Sequence, residues 1–176
     1  MSNNKGFTLI EMMITVAIAA ILLTMAIPSF QTLIENNRLA TNVNSFITML
    51  QYAKTEALKR NATVSLCAGD PNNGCACGPG AGCDANWKNG YIVFSDPNVN
   101  CTVDQGDQIL QFREGIKGDY TITAVGCITF GALGNLSTNS TVTISILTSN
   151  LTVDNIRDIV INPVGRSSMK KRTGTH

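Results

Sequence analysis

The chain reads as an α+β fold, with a long N-terminal helix packed on a mainly antiparallel β-sheet domain. Three observations predict it. Residues 7–27 are predominantly apolar, and Glu11 is their only charge. From Phe30 to Ala57, apolar residues recur at spacings of three and four within each stretch, the signature of one helical face. Beyond Asn61 the pattern changes to short apolar runs separated by turn-rich stretches, as strands require,.

The first element is long enough to span a membrane. Phe7 to Ile27 holds 21 residues, or roughly 31 Å of helix at the standard rise, which crosses the hydrocarbon core. A charge near a bilayer centre costs roughly 2.5–3.5 kcal/mol on insertion scales, so Glu11 needs a partner or a task. A secretory signal peptide would end in a small-residue cleavage site. This run ends instead in Ala26-Ile27-Pro28-Ser29-Phe30, and the only small-residue break, Gly6, precedes it. Any cut therefore leaves the apolar helix on the mature protein. The positive-inside rule places Lys5 in the cytoplasm and the C-terminal domain outside.

Past Pro28 the helix continues as an amphipathic segment over 29–61. Phe30, Leu33, Ile34, Val43, Phe46, Ile47, Leu50, Ala53 and Ala57 form its apolar face, expected to pack on the sheet,. Glu56 and Arg60, four apart, are placed to pair on its exposed side, and Asn61 is the expected stop. Strands are expected at Val64–Cys67, Tyr91–Phe94, Ile109–Phe112, Tyr120–Val125, Ile128–Phe130 and Thr141–Ile146. Asp158–Ile161 is expected to be the last. The clean alternation over 141–146 implies one wet face. Gly69–Gly82, Asn98–Gly106 and Gly131–Ser140 read as loops.

Six cysteines, Cys67, Cys75, Cys77, Cys83, Cys101 and Cys127, are disulfide candidates if the domain lies outside the cytoplasm,. Six allow 15 pairings, and the sequence does not choose among them. The Cys75-Ala-Cys77 cluster with Cys83 raises a rival reading, a structural zinc site, but C-x-C is not the usual ligand spacing. No metal or other cofactor is expected. The sole histidine, His176, is the last residue, and no Ser/His/Asp set or phosphate loop is present, so no catalytic residue and no enzyme activity are expected. Asp104 and Asp107 read as a solvated turn, too sparse in ligands for an EF-hand calcium loop.

Net charge is only +1, but its distribution is uneven. Arg157 to His176 holds five Lys/Arg against one acid, Asp158, whereas residues 7–156 hold seven Lys/Arg against eleven Asp/Glu. Residues 165–176 read as a basic C-terminal tail. Arg166, Lys170, Lys171 and Arg172 are candidate contacts to the phosphates of double-stranded DNA. The tail has no aromatic residues to stack on single strands. The bland alternative is a solubilising tail, or one touching an acidic neighbour.

Lys5-Gly6-Phe7-Thr8-Leu9-Ile10-Glu11 resembles the leader junction of type IV prepilins and type II secretion pseudopilins. The resemblance implies a six-residue leader (1–6), cut after Gly6 by a prepilin peptidase that methylates the new N-terminus at Phe7. It implies that Glu11 neutralises a neighbouring subunit's N-terminal amine during assembly, and that Pro28 kinks the helix. The units then read as leader 1–6, transmembrane helix 7–28, amphipathic helix 29–61, β-rich periplasmic domain 62–164 and tail 165–176. Asn36–Ala40, Lys54–Arg60, Trp87–Phe94 and Ile161–Arg166 resemble the FimT/GspH branch, which includes a minor pilin and the H pseudopilin. In FimT-like members a C-terminal Gly-Arg-rich region is associated with DNA capture in natural transformation. Here Gly165-Arg166 fits that pattern and Ser167-Ser168-Met169 departs from it.

The expected protein is therefore a minor type IV pilin in the inner membrane and pilus, with other pilins, the prepilin peptidase and duplex DNA as partners. Its rivals are the H pseudopilin of type II secretion and a membrane-anchored periplasmic zinc-binding domain.

Overall fold

A computed structural model describes residues 6–75, 87–116, 118, 120–148 and 154–174, without the side chains of 25–29, 154–155 and 173–174. The chain divides into two compact units, residues 1–38 and 39–176. One helix, α1 (Leu9–Arg60), belongs to both and is helical through Pro28. The apolar run expected to cross a membrane enters α1 at Leu9, with its side chains described as far as Thr24. Among the described residues, no helix is long and apolar enough to cross a membrane. The expected span over 7–28 therefore rests on the sequence.

The expected apolar face forms only in its second half. Val43, Phe46, Leu50, Ala53 and Ala57, joined by Leu39, are each at most 2 % exposed and share a single core with residues from both sheets, whereas Phe30, Leu33 and Ile34, expected on the same face, are exposed. Burying each large side chain contributes about 1.5–3 kcal/mol. Phe46 lies at the centre, its ring 5.3 Å from that of Trp87 and 5.0 Å from that of Tyr91. The helix stops where expected. Asn61 adopts φ 50°, its N–H donates to Leu58 O, and the Ala62 N–H reaches back to Ala57 O, as in a Schellman cap.

Nine strands are described: β1 (Val64–Asp70), β2 (Gly74–Cys75), β3 (Gly90–Ser95), β4 (Ile109–Glu114), β5 (Tyr120–Thr123), β6 (Cys127–Phe130), β7 (Val142–Thr148), β8 (Asp154–Ile161) and β9 (Ser167–Gly174). They form two sheets, and every strand pair is antiparallel. One sheet runs β2-β1-β3-β4 with β6 also paired to β1, and the other runs β5-β7-β8-β9. Tyr91–Phe94 is continuously apolar because β3 is buried on both faces. Tyr91 and Val93 join the helix-side core. Ile92 and Phe94 join a second cluster with Cys67, flanked by Cys75, Val103, Ile109, Phe112 and Cys127.

Two elements differ from the sequence expectation. β2 is a two-residue strand inside the expected loop. More consequentially, Asp158–Ile161 is not the last strand: residues 167–174, expected as part of a tail, pair with β8 along its whole length, from Ile161↔Ser167 to Asp154↔Gly174. The intervening turn is pinned to the core. Gly165 has φ 74°, and a Cβ there would lie 2.0 Å from Gly134 O, so no other residue fits without moving the backbone. Lys54 Nζ on α1 donates to Val164 O and Gly165 O, each at 3.1 Å.

Glu56 pairs with Arg60 as expected, at 2.8 Å, but it is buried, 7 % exposed, and not on an open face. Lys59 also donates to Glu56, and Arg60 Nη1 continues to Gln108 Oε1 at 2.9 Å. The Arg60 hydrogen bond holds the Glu56 carboxyl below its usual range, against burial, with Lys59 adding a bond and its charge. A depressed carboxyl stabilises the fold above its unfolded value, about 4.3, and this contribution is lost as pH falls through the lower folded value. Glu56→Gln should therefore lower the thermal midpoint at pH 7, with the gap to wild type closing in acid. A gap that persists below the folded value would contradict the charge-based account.

Candidate functional site

The N-terminal candidates lie at the entry to α1. Gly6 and Phe7 precede the helix and are exposed. Thr8 and Glu11 form a reciprocal cap: Thr8 N–H and Oγ1 donate to Glu11 Oε2 at 3.0 and 2.9 Å, and Glu11 N–H donates to Thr8 Oγ1 at 3.3 Å. This is the capping box that Thr-x-x-Glu encodes, a signal the reading of Glu11 as a lone charge overlooked. All the donors are neutral, so the cap satisfies lone pairs on Oε2 without compensating the charge. Oε1 takes none of these bonds, so local capping and acceptance of a neighbour's cation are compatible. Pro28 lies within α1, and its side chain falls outside the described residues.

Among the described residues two disulfides are present, Cys67–Cys75 and Cys101–Cys127. They lie side by side, since Cys67 and Cys127 are register partners on β1 and β6. Cys67–Cys75 ties β1 to β2, and Cys101–Cys127 ties the loop after β3 to β6. Both border the second apolar cluster, on the sheet face away from α1. Cys77 and Cys83 lie outside the described residues. The zinc reading therefore loses Cys75 from its expected cluster.

The loop that carries Cys101 is organised by Asp96, which nothing in the local sequence pattern singles out. Asp96 is fully buried and accepts hydrogen bonds from Ser65 Oγ at 2.6 Å and from the Asn100 and Cys101 N–H groups at 3.1 Å each. Ser65 also bonds Thr129 Oγ1 at 2.7 Å. No histidine is in this network, which anchors the loop. Asp104 collects Asn98 and Asn100 amides at 2.9 and 2.6 Å, and Asp107 accepts the Asp104 N–H. Among the described residues, no group of three or more His, Cys, Asp or Glu could hold a metal ion.

The four cationic candidates do not converge. Arg166 lies in the β8–β9 turn, its N–H donating to Asn162 Oδ1. Lys170 and Lys171, adjacent on β9, face opposite sides of the sheet,. Arg172, on the Lys170 side, is already neutralised: its Nε lies 2.9 Å from Asp158 Oδ2, and Asp158 Oδ1 accepts from Ser145 Oγ at 2.7 Å.

Comparison with known proteins settles the family. Residues 42–165 match the family described as type II transport protein GspH. The chain belongs to that GspH family. Residues 1–27 match the prokaryotic N-terminal methylation motif. The pilin-like protein PilA1 of Thermus thermophilus is 32 % identical over 108 residues, 60 % of this chain. The chain spans about 57 % of that relative's length.

Two crystal forms of the type IV minor pilin FimU from Pseudomonas aeruginosa (strain PAO1) share the fold at 21 % identity. Their TM-scores are 0.60 and 0.53; the matches cover 80 and 78 % of this chain and 96 and 95 % of FimU. The protein is thus a type IV pilin-like member of the GspH family, with the pilin arrangement of a helix on antiparallel sheets. The GspH match ends at Gly165, so Arg166, Lys170, Lys171 and Arg172 all lie beyond it.

The cysteine assignment is directly testable. Peptide mapping without reduction should recover Cys67 linked to Cys75 and Cys101 linked to Cys127, with none of the four alkylated. A Cys67–Cys127 link, which their register would also permit, would overturn the assignment.

Proposed function

We propose that this protein is a minor type IV pilin of the FimT-like kind. It is cleaved after Gly6, held in the inner membrane by residues 7–27 with its C-terminal domain in the periplasm, and then drawn into a pilus. One observation carries the reading: a methylation motif over 1–27 leads, through one helix, into a GspH-family domain. The pilus is preferred over the type II pseudopilus because both the relative and the solved neighbours are described as pilins. Purification of assembled complexes tests this preference, since recovery with type II secretion components alone would reverse it.

Glu11 is the assembly residue in this reading. Cleavage creates an ammonium at Phe7, and the Glu11 carboxylate accepts such a group from an adjoining subunit inside the apolar bundle, where a charge is tolerated when paired. Glu11→Gln should leave cleavage intact by mass but reduce recovery in sheared filaments by roughly tenfold or more, the order of a broken buried pair. Thr8→Ala removes only the local cap and should be milder. Equal losses from the two variants would make Glu11 a cap alone.

A second reading, DNA binding in natural transformation, is supported by the exposed cations of β9 and its preceding turn. The geometry narrows the four candidates. Arg172 is held by Asp158, and Lys171 faces away from Lys170, which leaves Arg166 and Lys170 as the phosphate contacts. Two such contacts give a salt slope of about −1.8 in log K against log salt. Detergent-purified full chain should show that slope on duplex DNA, and Arg166→Ala with Lys170→Ala should abolish it. No binding at low salt, or binding unaffected by the pair, would reject this role.

A further inference from the structure

The two faces of the β7-β8-β9 ribbon treat their cations differently. On one face Ser145, Asp158 and Lys170 lie in one register row, with Arg172 diagonal to Asp158. The carboxylate there accepts from both Ser145 and Arg172. On the other face the corresponding row is Ile122, Ile146, Arg157 and Lys171 across β5, β7, β8 and β9. Ile146 is fully buried. Arg157 is half-buried and Lys171 exposed. Two cations thus stand directly opposite each other, which is unfavourable in a sheet. Their strand neighbours among the described residues of that face, Ile146, Ile159 and Met169, are apolar. Arg157 Nη1 is buried with no hydrogen-bond partner, and a buried donor left unmet costs about 1–3 kcal/mol.

That nitrogen is closed to solvent, but Arg157 as a whole is only half-buried and Lys171 is exposed, so the opposed pair of cations gains from an acid brought by another molecule,. β9 is the edge strand of its sheet, so Lys171 borders open space and the row can be approached from that side. We infer that Arg157 and Lys171 form a docking site for a carboxylate of an adjoining pilin-type subunit. The planar carboxylate suits the guanidinium fork, and the neighbouring ammonium supplies the second charge. This inference rests on the assembly reading above but names a contact in the domain, separate from Glu11. Lys171 here serves a neighbour on the face away from Lys170, which separates it from the DNA reading.

The test uses full-length protein in cells and in detergent. Arg157→Met keeps the stem and removes the unmet charge. It should leave the thermal midpoint of the isolated protein unchanged or raise it by about 2–4 °C, while lowering recovery in filaments at least fivefold. Arg157→Lys, which keeps the charge but not the fork, should fall between. On assembled filaments, a zero-length carbodiimide couples an amine to a contacting carboxylate. It should join Lys171 to an Asp or Glu of another subunit, and the yield should drop in Arg157→Met.

A lowered midpoint in Arg157→Met would make Arg157 a structural residue and overturn the site. So would unchanged recovery, or coupling of Lys171 only within its own chain. If the wild-type protein itself enters no filament or pilin complex, the assembly reading fails; if wild type and Arg157→Met enter equally well, only this site fails.

Discussion

The burial of one helical face organises the C-terminal unit. Leu39, Val43, Phe46, Leu50, Ala53 and Ala57 advance by alternating steps of four and three and share one core with both sheets. Neither sheet could bury its inner face without that face, because β5-β7-β8-β9 makes no strand pairing with β2-β1-β3-β4 and β6. Phe46 shows the dependence most directly: its ring contacts Trp87 and Tyr91, so the helix, the entry to β3 and β3 itself meet at one aromatic cluster. Near the helix end, Lys54 and Leu58 approach Gly134, and Lys54 reaches the hairpin turn at Gly165.

Among the described residues, no helix covers the opposite face of the first sheet. It is closed by a smaller apolar cluster, two disulfides and a loop held by Asp96. A cross-link that shortens the unfolded ensemble contributes about 2–4 kcal/mol, which matters most where apolar cover is thin. The buried Asp96 is compatible with this dry environment because Ser65 and two backbone N–H groups meet its oxygens, whereas an unmet buried carboxylate would be costly. The polar loop is thus part of the core's closure, which explains why a stretch with so little apolar content has an ordered backbone.

What could be read in advance depended on whether the signal was local. The helix face, the Asn61 stop and the strand at Tyr91–Phe94 announce themselves through spacing and composition, because local burial dictates those residues. β9 does not. Ser167-Ser168-Met169-Lys170-Lys171-Arg172 has one apolar side chain, and its order comes from pairing with β8 and a turn locked by Gly165, Lys54 and Gly134. An edge strand needs hydrogen bonds more than apolar alternation, so its sequence resembles a solvated tail. Cysteine pairing was equally hidden, since Cys67 lies beside both Cys75 and Cys127 only after β1 has found β2 and β6. The capping box at Thr8 and Glu11 was visible but was outweighed by the oddity of a carboxylate in an apolar helix.

Recognising β9 as a strand changes the meaning of the basic C-terminus. In a flexible tail, Arg166, Lys170, Lys171 and Arg172 would act as one diffuse charge. On a strand they are divided by alternation and register. Asp158 neutralises Arg172 on one face, and Lys171 joins Arg157 on the other, across from a fully buried Ile146. Charge that looks like a single feature in sequence becomes three environments: a turn, a paired face and an unpaired one. A partner that only sought positive charge would find the first two. A partner that offers a single well-placed carboxylate gains most at the third, because two cations there stand opposite each other at an open sheet edge, and an acid beside them relieves that repulsion,.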